Sequence, residues 1–190
     1  MEAFLVSTGI VALAEIGDKT QLLAFILAAK FQKPWPIVAG ILVATVANHA
    51  FAGALGSWIT TLMGPTTLRW VLGISFIAMA IWTLIPDKIE EEETQVAHRF
   101  GVFGATLITF FLAEMGDKTQ LATVALAAQF RSALLVTIGT TLGMLATDGL
   151  AVFLGDRLAA KVQMKWIRWA AASLFFLFGA AALWTGIRGG

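Results

Sequence analysis

The chain of 190 residues is 58% hydrophobic and only 13% charged, whereas an ordinary soluble domain carries about 25% charged residues. This composition is typical of a membrane protein and excludes a largely water-exposed surface. A net charge of +1, with basic residues scattered through the chain, excludes an electrostatic basis for nucleic-acid binding. The absence of cysteine excludes disulfides and thiolate ligands, so any bound metal is expected to have oxygen ligands and at most an imidazole nitrogen.

Six apolar segments are each long enough to cross the roughly 30 Å of hydrocarbon in a bilayer, which takes about 20 helical residues. They lie near residues 4–29, 36–58, 68–86, 101–128, 133–155 and 166–187. No basic stretch precedes the first segment, so we expect it to be retained rather than cleaved as a signal peptide. The sequence therefore predicts an all-α polytopic membrane protein with six transmembrane helices.

A ten-residue motif occurs twice in the chain, at an offset of 99 positions. Residues 13–22 and 112–121 are identical at nine of ten positions, which chance does not produce. The same offset aligns Arg69 with Arg168 without gaps, so the duplication extends over the whole unit. The chain is therefore predicted to consist of a three-helix repeat in residues 1–88, an acidic linker in residues 89–99 and a second three-helix repeat in residues 100–190.

The predicted topology is an inverted repeat, because three spans per repeat make the second repeat enter the membrane from the opposite side. Transporters use inverted repeats to build one central site with two access routes. When Lys19 and Lys118 are left out because they lie well inside spans, the basic residues within or close to the loops number eight on one side and three on the other. The first side should therefore be cytoplasmic, and both termini should lie outside the cytoplasm. The eight are Lys30, Lys33, Lys88, Arg99, Arg157, Lys161, Lys165 and Arg168, and the three are Arg69, Arg131 and Arg188.

The two motifs place acidic residues near the middle of the first and fourth spans. Glu15 and Asp18 are three residues apart, and Glu114 and Asp117 repeat this spacing, so on a continuous helix each pair shares one face. An ionised side chain at the bilayer centre costs about 2.5–3.5 kcal/mol on insertion scales, so such groups mostly line pathways or pair with one another. We therefore predict that these four carboxylates form one metal site.

Charge and ligand chemistry favour a divalent cation as the occupant. Each motif carries a Glu, an Asp and a Lys, so the two motifs together have a net charge of −2. Hard cations such as Ca²⁺ and Mg²⁺, and also Mn²⁺, take carboxylate, carbonyl and water oxygens in sixfold or higher coordination. No prosthetic group is expected. The residues predicted to line the pathway or to support the ligands are Lys19, Thr20, Gln21, Asn48, Lys118, Thr119, Gln120 and Asp148.

Glycines between the acids leave two structural interpretations open. Gly17 and Gly116 either allow helices to approach closely or let the backbone unwind and expose carbonyl groups, as in the broken helices of transporters. Other small residues, including Gly53, Gly56 and Gly139, are interpreted as sites of tight helix packing. His49 in the second span is interpreted as an interhelical hydrogen-bond partner rather than as a ligand.

Proton coupling follows from the surroundings expected for the acids. Burial in a low dielectric beside like charges favours the protonated, neutral form of a carboxyl group. The same side chains can therefore hold protons after the metal leaves, and inverted repeats would expose them to each side in turn. This is a direct physical route to proton antiport.

The two copies of Glu-x-Gly-Asp-Lys-Thr, in residues 15–20 and 114–119, resemble the family of bacterial MneA manganese exporters. Eukaryotic relatives of that family are Golgi cation/proton antiporters. The resemblance covers essentially the whole chain. It implies a Mn²⁺ or Ca²⁺ antiporter coupled to protons, with the four motif carboxylates as the ion site, and it points to Mn²⁺ export across the inner membrane.

Several alternatives remain open from the sequence. A Ca²⁺/H⁺ antiporter would use the same fold and site. An exporter of a cationic organic solute would need aromatic or selective polar groups beside the acids to bind the solute. An intramembrane enzyme could use paired carboxylates as acid and base, but no histidine cluster or activated serine stands near the motifs, so we expect no enzyme. The Glu, Asp and Lys side chains of the motifs could also form internal salt bridges that lock helices together. A monomer is sufficient in principle, and the sequence does not fix the oligomeric state.

Overall fold

The computed structural model describes residues 1–85, 100–154 and 164–188. Within these residues the secondary structure is entirely α-helical, which confirms the predicted all-α class. The predicted linker, residues 89–99, and the basic residues Lys88, Arg99, Arg157 and Lys161 lie outside the described part of the chain. The helices are α1 (Glu2–Glu15), α2 (Lys19–Phe31), α3 (Pro34–Leu62), α4 (Pro65–Thr83), α5 (Gly101–Glu114), α6 (Lys118–Phe130), α7 (Ala133–Leu154) and α8 (Met164–Arg188).

The sequence duplication is accompanied by a duplication of secondary structure. The helices α1 to α4 begin at residues 2, 19, 34 and 65, and α5 to α8 begin at residues 101, 118, 133 and 164, which is 99 residues later in every case. The unusual backbone conformations recur in the same way. Gly17 and Gly116 have φ angles of 82° and 79°, and Gln32 and Arg131 have φ angles of 52° and 49°.

Four of the described helices, α3, α4, α7 and α8, are long and apolar enough to cross a membrane. The two motif segments differ from the prediction, because each is divided into two shorter helices. Glu15 is the last residue of α1 and Asp18 is the N-cap of α2, and Glu114 and Asp117 hold the same places in α5 and α6. The prediction that each pair shares one helix face is therefore wrong. The glycine between them has a positive φ, which ends a right-handed helix, so the backbone unwinds there.

Packing occurs largely between the two repeats. Helix α1 packs on α7, α3 packs on α5, α6 and α7, and α4 packs on α8. One hydrophobic cluster is built mainly from α1, α4, α6 and α8, and a second from α2, α3, α5 and α7. Helix α4 therefore contacts α6, and α8 contacts α1. The contacts related to these by the repeat, of α8 with α2 and of α4 with α5, are not among the main helix contacts of the described residues.

Glycines allow the closest helix approaches. A Cβ atom at Gly139 of α7 would lie 2.6 Å from the carbonyl oxygen of Phe4, and a Cβ atom at Gly143 would lie 2.6 Å from that of Thr8. Added Cβ atoms at Gly53 and Gly56 would also clash, with Thr137 and with the carbonyl oxygen of Val124. The predicted tight packing at these glycines is confirmed.

Substitution of Gly139 by alanine is expected to destabilise the protein, because the added methyl group meets backbone rather than a movable side chain. Overpacking of this kind costs about 1–3 kcal/mol, which should lower the thermal unfolding temperature of the purified protein in detergent. Gly9→Ala is the matched control, because Gly9 lies within α1 and a Cβ there would meet no atom within 4 Å. Equal unfolding temperatures for the two variants would contradict the packing described for α1 and α7.

Candidate metal centre

The two helix breaks bring buried carboxylates together between the repeats. All four carboxylates predicted from the motifs are buried. Glu15, Glu114 and Asp117 each offer a carboxylate oxygen, and these three atoms lie within 4.8 Å of one another. Metal–oxygen bonds of about 2.0–2.6 Å place two ligands of one ion about 3–5 Å apart. The spacing of this three-carboxylate cluster therefore fits a single divalent cation.

Threonines that follow each break orient the glutamates. The Thr20 hydroxyl donates a hydrogen bond of 2.7 Å to Oε2 of Glu15, and the Thr119 hydroxyl lies 2.9 Å from Oε2 of Glu114. Thr119 also lies 3.4 Å from Oδ2 of Asp117. Each glutamate at the end of one helix is thus held by a residue in the first turn of the next helix. This arrangement leaves the other glutamate oxygen, Oε1, free of hydrogen bonds from the described residues.

The glutamines of the motifs stabilise the breaks. Gln21 accepts a hydrogen bond of 2.9 Å from the Gly17 backbone N–H, and Gln120 accepts one of 2.8 Å from that of Gly116. These backbone groups have left the helical hydrogen-bond pattern, and the glutamine side chains supply the acceptors that the helix no longer provides. The amide of Gln120 also lies 3.5 Å from Oδ1 of Asn48. The structure therefore gives the glutamines a role in holding the unwound backbone.

The fourth carboxylate of the motifs, that of Asp18, forms an ion pair with the lysine of the other motif. Nζ of Lys118 lies 2.6 Å from Oδ1 of Asp18, and both side chains are buried. This ion pair joins the first repeat to the second. Lys19, at the position equivalent to Lys118, is only partly buried. The two motifs, nearly identical in sequence, therefore occupy different electrostatic environments.

Asp148 of α7 adds a further carboxylate next to the cluster. It is fully buried, neither of its oxygens has a hydrogen-bond partner among the described residues, and it interacts electrostatically with Glu15 and Glu114. Several carboxyl groups this close in an apolar interior cannot all be ionised unless cations compensate them. The surroundings of the cluster thus favour a bound cation or bound protons.

His49 differs from the sequence interpretation. The ring is fully buried, and neither ring nitrogen has a hydrogen-bond partner among the described residues. Its Nε2 lies 4.0 Å from Oε2 of Glu114. Among the described residues, the His49 ring therefore does not make the predicted interhelical hydrogen bond. The sequence did contain one indication that this position is functional, because the offset of 99 aligns His49 with the acidic residue Asp148.

Asn48 bonds to the backbone close to the second motif. Its side-chain N–H donates a hydrogen bond of 3.1 Å to the carbonyl oxygen of Phe111 in α5. Asn48 and Gln120 also line a cavity of about 350 Å³ together with Phe51 and Met115. Asn48 of α3 thus contacts both helices of the second motif segment, α5 and α6.

Comparison with known proteins adds a functional class to this geometry. A family model described as "Divalent cation/proton antiporter GDT1" matches residues 3–91 and again residues 102–190. A Vibrio cholerae protein named "Putative manganese exporter" is 49% identical over 95% of this chain and 90% of its own length. A GDT1-like protein of Synechocystis is 27% identical over 98% of this chain and 99% of its own length. GDT1-like protein 3 of Arabidopsis thaliana is 26% identical over 95% of this chain and 70% of its own length. No solved structure matches the chain.

Proposed function

Because the chain belongs to the GDT1 family of divalent cation/proton antiporters, we propose that it exports Mn²⁺ across the inner membrane in exchange for protons. The observation that carries the proposal is the buried cluster of Glu15, Glu114 and Asp117, whose oxygens are spaced as ligands of one ion. The name of the Vibrio cholerae relative supports Mn²⁺ as the cargo. Apolar helices of spanning length and the family together indicate a multi-pass membrane protein of transport function.

The exchange follows from the chemistry of the cluster. Mn²⁺ accepts carboxylate, carbonyl and water oxygens, and Glu15, Glu114 and Asp117 supply three negatively charged ligands from both repeats. When the ion leaves, the same carboxylates remain buried beside Asp148, and protons then neutralise them. Metal and protons therefore compete for one set of oxygens. Competition of this kind couples the two flows without a separate proton path.

We place the two repeats in inverted orientation, with residues 1–88 and 100–190 as the two units. The unequal packing of α4 and α8 supports alternating access between them. These two helices rest on α1 and α6, and exchanging the roles of the repeats would make them rest on α5 and α2 instead. With both termini outside the cytoplasm, α1 and α6 form the outer half of the bundle. The described arrangement is then the state closed on the outside, and the exchanged arrangement is the state closed on the cytoplasmic side.

Cysteine cross-linking tests this exchange, because the natural chain has no cysteine. Leu68 of α4 and Ala128 of α6 line one cavity of about 300 Å³, and the positions related to them by the offset are Ile167 and Ala29. A short bifunctional reagent is expected to link Leu68→Cys with Ala128→Cys in one state and Ile167→Cys with Ala29→Cys in the other. Changing the Mn²⁺ concentration or pH should move the two yields in opposite directions. Yields that stay constant or move together would contradict the proposed exchange.

Transport in proteoliposomes tests the function itself. The purified chain is reconstituted, Mn²⁺ is placed outside, and an internal pH dye and a metal-sensitive dye are read with and without a pH gradient. Mn²⁺ entry accompanied by proton exit, and accelerated by an acidic interior, is the expected result. Absence of any metal flux under these conditions would contradict the proposal.

A Ca²⁺/H⁺ antiporter is the second candidate, favoured by the fact that the three-carboxylate cluster offers oxygen ligands alone. Ca²⁺ also prefers carboxylate oxygens, in coordination of six to eight. Competition in the same proteoliposomes separates the two cargoes. Excess Ca²⁺ should leave Mn²⁺ entry largely unchanged if the site prefers Mn²⁺, and should abolish Mn²⁺ entry if the site prefers Ca²⁺.

A further inference from the structure

His49 is a buried polar side chain whose position has no explanation in the packing of the protein. A buried polar group without a hydrogen bond costs about 1–3 kcal/mol, and such groups are few in folded proteins. Neither nitrogen of the fully buried His49 ring has a partner among the described residues. The backbone at this position is fixed, because the Thr137 hydroxyl donates a hydrogen bond of 3.1 Å to the His49 carbonyl oxygen. The ring is therefore held next to the cluster with its nitrogens available.

The ring lies at ligand spacing from one carboxylate of the cluster, that of Glu114. Nε2 of His49 is 4.0 Å from Oε2 of Glu114, which is longer than a hydrogen bond. Two ligands of one ion are about 3–5 Å apart when metal–ligand bonds are about 2.0–2.6 Å. The distance from His49 to Glu114 is within that range. His49 of α3 thus lies at a distance from Glu114 that suits two ligands of one ion.

The repeat provides an independent argument for a ligand at this position. His49 in α3 and Asp148 in α7 are 99 residues apart, so they are equivalent positions of the two repeats. Both are fully buried and both have unpartnered polar atoms among the described residues. A position needed only for packing would favour an apolar residue in both repeats. Instead, each repeat carries a side chain of a metal-binding type.

Resting on the proposed function, we propose that His49 is a nitrogen ligand of the transported ion and that it selects a transition-metal dication over Ca²⁺ and Mg²⁺. Ca²⁺ and Mg²⁺ take oxygen ligands almost exclusively, whereas a neutral imidazole nitrogen is a common ligand of first-row transition metals. Mn²⁺ accepts both donor types. The cluster without His49 would be an all-oxygen site with no basis for excluding Ca²⁺.

Pulsed electron paramagnetic resonance on the Mn²⁺-loaded full-length protein in nanodiscs tests the ligand directly. A coordinated imidazole gives a ¹⁴N coupling on bound Mn²⁺, and the chain has only two histidines, His49 and His98. We expect the coupling in the wild type and in the matched control His98→Gln, and its loss in His49→Gln. Bound Mn²⁺ without a ¹⁴N coupling in the wild type would overturn the role of His49, and so would loss of the coupling in His98→Gln alone.

Selectivity is the second readout, measured as Mn²⁺ and Ca²⁺ uptake by proteoliposomes of wild type and His49→Gln. We expect the ratio of Mn²⁺ to Ca²⁺ apparent affinities to fall at least about tenfold in His49→Gln, since even indirect partners of metal ligands contribute about 10–100-fold to affinity. An equal fall for both ions would indicate a structural role and overturn the proposal. A wild type that binds no Mn²⁺ contradicts the proposed function, whereas one that binds Mn²⁺ without nitrogen contradicts only the role of His49.

Discussion

Glu114→Gln is expected to abolish Mn²⁺ transport, with a fall in the initial uptake rate of at least about 100-fold, given that even indirect partners of metal ligands contribute about 10–100-fold. Glutamine keeps the size of the side chain and one oxygen that Thr119 can bond, but it removes the negative charge. One of the three clustered carboxylates is then lost as a ligand and as a proton acceptor. Initial rates of Mn²⁺ uptake and proton release in proteoliposomes check this result.

Two further variants sharpen this prediction. Glu15→Gln should have an effect of similar size, because Glu15 holds the equivalent place at the end of α1 and accepts the equivalent threonine hydrogen bond. Glu2→Gln is the matched control, because Glu2 lies exposed in the first turn of the same helix. Wild-type transport by Glu114→Gln, or an equal loss in Glu2→Gln, would show that the cluster is not the ion site.

Lys118→Met is expected to destabilise the protein by about 3–5 kcal/mol, which is the usual cost of removing one partner of a buried ion pair. The reason is the contact of 2.6 Å between Lys118 and Asp18, both of them buried. Thermal unfolding of the purified protein in detergent measures the effect. Lys19→Met is the matched control at the equivalent position, where the side chain is partly exposed, and it should change stability much less.

A double variant separates the ion pair from general packing. Asp18→Asn combined with Lys118→Met removes both charges together, so it should be more stable than Lys118→Met alone. Equal destabilisation by Lys118→Met and Lys19→Met would contradict the asymmetry of the two motifs. A double variant no more stable than Lys118→Met would show that the charge of Asp18 is not the cause of the loss.

The helical class and the repeat could be predicted because both are encoded along the chain. Apolar segments of spanning length determine the class, and the near-identity of residues 13–22 and 112–121 identifies the duplication. The acidic residues also stood out without a structure, because charge at mid-span is costly. These features depend only on local composition and on spacing.

The conformation at the motifs could not be predicted, because Gly17 and Gly116 are compatible with a helix and with a break. Hydropathy alone predicts one continuous membrane span for each motif segment. The break separates each glutamate from its aspartate, so the geometry of the four acids depends on how the helix halves pack. That packing involves residues far apart in sequence, such as Asp18 and Lys118.

The surroundings of His49 could not be predicted from the sequence. A lone histidine in an apolar helix has no spacing pattern that identifies a ligand. Only the three-dimensional position shows that its ring nitrogens lack partners among the described residues and that one lies 4.0 Å from Glu114. Alignment with Asp148 at the offset of 99 was the available signal.

In the proposed transport cycle, one site shared by the two repeats binds either one divalent cation or protons. Isothermal titration calorimetry of the detergent-purified protein with Mn²⁺, repeated in buffers of different ionisation enthalpy, measures both the stoichiometry and the protons released. Carboxylates that hold protons must lose them when the metal binds, so we expect one Mn²⁺ per chain, measurable proton release, and weaker binding at lower pH. Two Mn²⁺ per chain, or binding without proton release at any pH, would contradict the account.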